Sequence, residues 1–188
     1  ITDIELEKRR DLRDEIIFTI DGDDAKDYDD AVSIHQKDNG HFVLGVHIAD
    51  VSHYVKQGDA IDQSALERGT SVYVIDRVVP MLPFNLSNDV CSLVPDKDRL
   101  TFSCEMEIDG NGKVVDYSIF KSVICSKSRM TYGLVADLLE GDGSHPNRLQ
   151  PFKKELIMMN ELHEILRVKR RLNRGAINFD FPEAKITL

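Results

Sequence analysis

Apolar and polar side chains alternate without a break from Leu100 to Ile108 (LTFSCEMEI), the period of a strand with one buried face. Turn residues follow at Asp109-Gly-Asn-Gly112, and Val114–Cys125 returns the chain, which predicts an antiparallel hairpin. The same period recurs at Phe42, Leu44, Val46 and Ile48, behind the turn signal Asp38-Asn39-Gly40. With the apolar run Ala31–Ile34 it predicts a second hairpin over 31–49. A β-branched run at 15–20 and a segment at Thr70–Val74, ending toward Pro80 and Pro83, read as further strands.

The period changes in the second half. Thr131 can cap a helix over 132–140 that stops at Gly141, and Gly141–Pro146 reads as a mobile connection. From Pro151 to Asn173, Leu156, Met159, Leu162 and Leu166 recur at spacings of three and four, which predicts a long amphipathic helix ended by Gly175. A short helix is expected at 59–68, and the charged lead-in at 3–13 is helical or irregular. Strands gather early and helices late. The expected class is α+β, a largely antiparallel or mixed sheet with a long C-terminal helix packed on it.

Composition narrows the setting. The 188 residues suffice for one domain with a real core. No apolar run approaches the roughly 20 residues that span a bilayer, so no membrane partner is expected. The sequence starts at Ile1 rather than Met, without a secretory leader, and reads as a piece of a longer chain. Cys91, Cys104 and Cys125 lack metal-type spacing and are expected as reduced thiols of a cytoplasmic protein. A net charge of −9 argues against general adhesion to nucleic acid or anionic membrane.

The charge is not spread evenly. In FTIDGDDAKDYDDAV at 18–32, six of the ten residues from Asp21 to Asp30 are aspartate, answered within the run by Lys26 alone. Such a cluster is a solvated acidic loop or a cation site. Asp21 ends one predicted strand, and Asp29 and Asp30 open the next. An extended segment would turn Asp27 and Asp29 to one side and Asp30 to the other. A few carboxylates completed by water and substrate phosphate suit Mg²⁺, and a pair of such ions can clamp a phosphodiester displacement. A calcium loop counted from Asp21 fails, with Lys26 and Val32 where Gly and Glu are needed. His47 and His53, flanking Asp50, read as structural or surface histidines rather than zinc ligands. Spacing alone leaves the Mg²⁺ site and the solvated loop both open.

TIDGDDAKDYDDAV closely resembles the signature of the RNB catalytic domain of the ribonuclease II / ribonuclease R exoribonucleases. RRDLR at 9–13, GVHIADVSHYV at 45–55, ERGTSVYVIDRVVPMLP at 67–83, LSNDVCSL at 86–93 and RGAINFDFPE at 174–183 follow in the family's order. Within the family the likeness is greater to the bacterial ribonuclease R branch. The resemblance implies a processive, hydrolytic, Mg²⁺-dependent enzyme, with Mn²⁺ as a substitute, that digests RNA from a single-stranded 3′ end and releases 5′-mononucleotides. By motif it implies four active-site aspartates. Asp21 and Asp30 are the firmest metal ligands, Asp27 supports the metal directly or through water, and Asp29 is indispensable for cleavage. Asp23 and Asp24 ride the turn.

Tyr73 aligns with a tyrosine that packs near the 3′-terminal nucleotide and helps set product size; its plainer reading is a core aromatic on a strand. Arg167, Lys169, Arg170, Arg171 and Arg174 crowd the end of the long helix. They contact RNA phosphates or complement the helix dipole, and the lack of interleaved aromatics favours the dipole. The resemblance further implies that residues 1–188 are roughly the N-terminal half of one RNB domain, with no second domain. The parent would be a monomer with flanking cold-shock and S1 domains, and the isolated piece weakly active or inactive. The competing class is a non-catalytic RNA-binding or protein-interaction module with an acidic loop.

Overall fold

The computed structural model describes residues 1–140 and 147–174. The expected connection Gly141–Pro146, the stop at Gly175 and the motif that follows Arg174 lie outside the described residues. Helix α1 (Asp3–Glu7) starts where Thr2 Oγ1 accepts the Glu5 N–H. It leads into β1 (Arg10–Leu12), β2 (Phe18–Asp21), β3 (Asp30–Gln36) and β4 (Phe42–Ala49). Next come α2 (Val51–Tyr54), α3 (Ala60–Arg68), the two-residue strands β5 (Val72–Tyr73) and β6 (Val78–Val79), and a π-helical turn at Leu86–Val90. The long strands β7 (Asp98–Ile108) and β8 (Val114–Cys125) precede β9 (Ser128–Thr131), α4 (Tyr132–Glu140), a 3₁₀ turn at Asn147–Phe152 and α5 (Lys153–Arg174).

Among the described residues, seven strands form one sheet in the order β1-β8-β7-β4-β3-β2-β9. Its centre is antiparallel, built from the two predicted hairpins and the β4–β7 pairing between them. Both edges are parallel: β1 runs with β8, and β2 with β9. The sheet is therefore mixed. The expected strand at Thr70–Val74 shrinks to β5, which pairs with β6 in a separate ribbon. Both residues of β5 are exposed, so no buried face extends the ribbon. Pro151 lies in the 3₁₀ turn, and α5 begins two residues later.

Period two divides the sheet into two buried faces. On one, Met158 and Leu162 of α5 pack with Ile34, Phe42 and Ile108, while Leu138, Leu149 and Leu156 pack with Phe18 and Met130. Burying such side chains stabilises the fold by about 1.5–3 kcal/mol each. The other face holds Leu12, Ile17, Ala31, Ala49 and Ile124 under Cys91 and Leu93.

A buried polar chain crosses that second face. Ser33 Oγ lies 3.1 Å from His47 Nε2, His47 Nδ1 lies 2.7 Å from Ser103 Oγ, and Ser122 Oγ bridges Ser103 and Thr101. Burial pushes the His47 imidazole down to about 4, so it stays neutral at physiological pH. Gly45 is required here, because a Cβ would sit 2.3 Å from Ser33 Oγ and 2.9 Å from His47 Nε2. At the end of the chain, Arg9 Nη2 donates to Asp50 Oδ2 at 2.7 Å, with both side chains buried. His53 lies against Glu5 and Tyr54.

Candidate active site

The aspartate run becomes a loop because β2 and β3 pair at Phe18↔Val32 and then part. β2 delivers Asp21 at its last position, and β3 starts on Asp30. Residues 22–29 between them join no sheet, with a turn at Asp23-Asp24 and backbone outside any strand from Ala25 to Asp29. They are nonetheless held. The Ala49 N–H donates to the Asp29 carbonyl at 3.0 Å, and the Leu93 N–H to the Tyr28 carbonyl at 2.8 Å. The buried Ser92 hydroxyl accepts the Tyr28 N–H at 3.0 Å, and the Tyr28 hydroxyl donates to the Ala25 carbonyl at 3.2 Å. Asp29 thus stands on backbone tied to β4 and to the segment after the π turn.

Asp27 and Asp29 line one cavity of about 470 Å³, shared with Tyr73, Ile48 and Cys91. Asp30 lies outside that lining, exposed at the head of β3 opposite Ile48. Tyr73 is not a core residue. It is 68% exposed, and its hydroxyl lies 3.4 Å from Asp27 Oδ2. It forms the wall between this cavity and a wider one of about 900 Å³, lined also by Lys26, Arg77 and Phe84.

The carboxylates sense one another. Burial pushes the Asp29 carboxyl above the ordinary carboxylate range, and the charges of Asp27, Asp30 and Asp21 push it further. Burial does the same to Asp21, opposed by the Thr19 hydroxyl and the Arg129 guanidinium and aided by Asp30 and Asp27. The four positions are therefore one electrostatic cluster. Among the described residues, no three His, Cys, Asp or Glu side chains converge tightly enough to enclose an ion by themselves. The donor set still fits a hard cation that keeps most of its water: it consists of carboxylates, and Asp21 Oδ2 is buried without a hydrogen-bond partner.

Two contacts were not legible in the sequence, although Ser92 lies in the motif at 86–93. Arg129, more than 100 residues from the loop, donates from Nη2 to the carbonyls of Gly22 (2.8 Å) and Asp23 (2.9 Å). Ser92 holds Tyr28 from a segment that carries no residue of the cluster. Cys91, beside the cavity, is no nucleophile: burial and the Asp29 charge push its thiol up to about 11. All three cysteines are free thiols. Of the basic cluster on α5, Arg167 pairs with Glu164 at 2.6 Å, and Lys169 Nζ donates to the Gly112 carbonyl at 2.6 Å. Arg170 is exposed, and the side chains of Arg171 and Arg174 lie outside the described residues.

Residues 9–188 match the family described as the RNB domain. Ribonuclease R of Thermotoga maritima is 56% identical over 180 residues, covering 96% of this chain and 25% of that protein. The structure of Mycoplasma genitalium RNase R in complex with ribose-methylated single-stranded RNA superposes with a TM-score of 0.89 at 32% identity, covering all of this chain and 29% of that one. The fold is also that of yeast Ssd1, described as a pseudonuclease, with a TM-score of 0.76 at 23% identity over 94% of this chain and 21% of that one. The chain thus spans roughly a quarter of the length of these ribonuclease R relatives. Its motifs, its sheet and the match along nearly its whole length agree: the chain belongs to the RNB family.

Proposed function

We propose that this chain supplies the acidic half of the active site of a processive 3′→5′ exoribonuclease that hydrolyses RNA to 5′-mononucleotides. The observation that carries the reading is the joint position of Asp27, Asp29 and Tyr73 around one cavity, with Asp21 and Asp30 in the same electrostatic cluster. Asp21 and Asp30 would hold Mg²⁺ or Mn²⁺, with Asp27 supporting them directly or through water. When bound, the cation would offset the charge that grows on the phosphoryl oxygens. Asp29, fixed through its own backbone carbonyl, would orient the attacking water. Tyr73 offers an exposed ring on which the 3′-terminal base can stack, and its hydroxyl holds Asp27.

The relatives are about four times as long, so RNA binding, cleavage and product size belong to the whole protein. On this reading residues 1–188 are roughly the N-terminal half of one RNB domain. The basic RNA-guiding surface, including cold-shock and S1 domains, lies in the remainder of a monomeric cytoplasmic protein. That division accounts for the net charge of −9 on this part. Since a pseudonuclease shares the fold, the fold alone does not decide for catalysis; the aspartate cluster is what supports it. The test is Asp29→Asn in the full-length protein. Cleavage of a single-stranded RNA should disappear while RNA binding persists, and a near wild-type rate would refute the reading. Residues 1–188 by themselves should be weakly active or inactive.

A further inference from the structure

We infer that Arg129 is the positioning residue of the aspartate loop, holding its two arms at the separation a divalent cation needs; this rests on the metal reading above. The guanidinium bonds one arm and faces the other. On the first, Nη2 donates to the carbonyls of Gly22 and Asp23 at 2.8 and 2.9 Å, directly after Asp21. On the second, the guanidinium carbon lies 5.6 Å from the centroid of the Tyr28 ring, and Tyr28 precedes Asp29. Strand β9 explains how one residue reaches both. Its parallel register with β2 sets Arg129 against Thr19 and Thr131 against Asp21, so Arg129 rises from the sheet face that carries Asp21.

Two details separate this role from ordinary charge balance. The bonds go to backbone carbonyls, not to carboxylates, so they fix the shape of the loop and leave carboxylate oxygens for a cation. Two side-chain atoms of this face, Arg129 Nε and Asp21 Oδ2, are shielded from water without a close hydrogen-bond partner among the described residues, and the Thr19 hydroxyl beside Asp21 is the neighbour that favours its charged form. Unmade hydrogen bonds are costly, and one on a carboxylate oxygen leaves that oxygen open to a cation. A lysine keeps the charge but lacks the planar fork that reaches both carbonyls from beside the Tyr28 ring.

The sign of one effect tests the inference. By charge alone, a cation at 129 repels a metal ion, so removing it would tighten metal binding. By position, removing it loosens binding. In a calorimetric Mn²⁺ titration of the full-length protein, Arg129→Gln should weaken binding about tenfold, the scale set by groups that orient metal ligands. Arg129→Lys should also weaken it, by less. A variant of the distant polar chain, Ser103→Ala, should lose thermal stability without moving Mn²⁺ affinity. Unchanged or tighter binding in Arg129→Gln overturns the inference, as does an equal loss in Ser103→Ala. If circular dichroism shows Arg129→Gln unfolded, Arg129→Lys decides by the same criterion. Failure of the wild-type protein to bind Mn²⁺ would sink the metal reading itself; a binding wild type with indifferent Arg129 variants sinks this inference alone.

Discussion

Asp50 and Asp21 both stand at the ends of sheet strands, and the fold treats them in opposite ways. Burial works against the Asp50 carboxylate, but hydrogen bonds from Ser52 and Arg9 outweigh it and hold its pKa below the ordinary range. Asp21 is also partly withdrawn from water, but the Thr19 hydroxyl does not offset that loss, Oδ2 has no close donor and its charged neighbours include further carboxylates. Asp29 shares that fate. One region spends nearly all its polar groups on stability, Arg9 Nε being the atom it leaves without a hydrogen bond. The other leaves them underused, and a protein tolerates that arrangement at a site whose partner arrives from outside.

The largest expected effect breaks the satisfied side of this contrast. Asp50→Ala leaves the buried Arg9 guanidinium with only the longer Glu5 contact, 3.8 Å from Nε, to answer its charge, and should cost about 3 kcal/mol in a denaturant titration. Gly45→Ala forces a methyl group into the Ser33–His47 contact and should cost about 1–3 kcal/mol by the same measurement. On the other side the sign reverses. The folded-state pKa values of Asp21 and Asp29 are raised, so each ionised carboxylate opposes folding once pH exceeds its folded pKa. Their contribution is fully present below the unfolded carboxylate pKa and is lost as pH rises through the raised value. Without metal, Asp29→Asn should therefore melt higher than wild type at pH 7 while losing function. A lower melting point in metal-free buffer would contradict the contrast. The smallest effect is at Tyr73: the ring is exposed, so Tyr73→Ala should change stability by less than about 0.5 kcal/mol. In the full-length protein it should instead alter the length of the final RNA product, read on a gel.

Local periodicity made much of this legible. Alternation at 100–108 and 42–48 predicts the hairpins that form the centre of the sheet, because period two is a property of neighbours in sequence. The parallel edges were not legible. The pairing of β2 with β9 joins segments more than 100 residues apart, and neither strand carries a sign of its partner. With that pairing unseen, Arg129 could not be placed at the loop, and Lys26 passed as the cation that answers the aspartates. Tyr73 was ambiguous for a related reason: a tyrosine between valines reads as core unless its strand is known to stand off the sheet. The aspartate spacing was visible, but an extended run and a loop pinned by Ser92 and Ala49 give the same string of letters.

The most direct test compares two aspartates of one loop. Asp21 ends β2 with an unpartnered oxygen, whereas Asp23 contributes its backbone carbonyl to Arg129. In a calorimetric Mn²⁺ titration of the full-length protein, Asp21→Asn should abolish binding and Asp23→Asn should preserve it. Equal losses in the two variants would mean that the loop binds cations by charge alone, and would contradict the account of a built metal site.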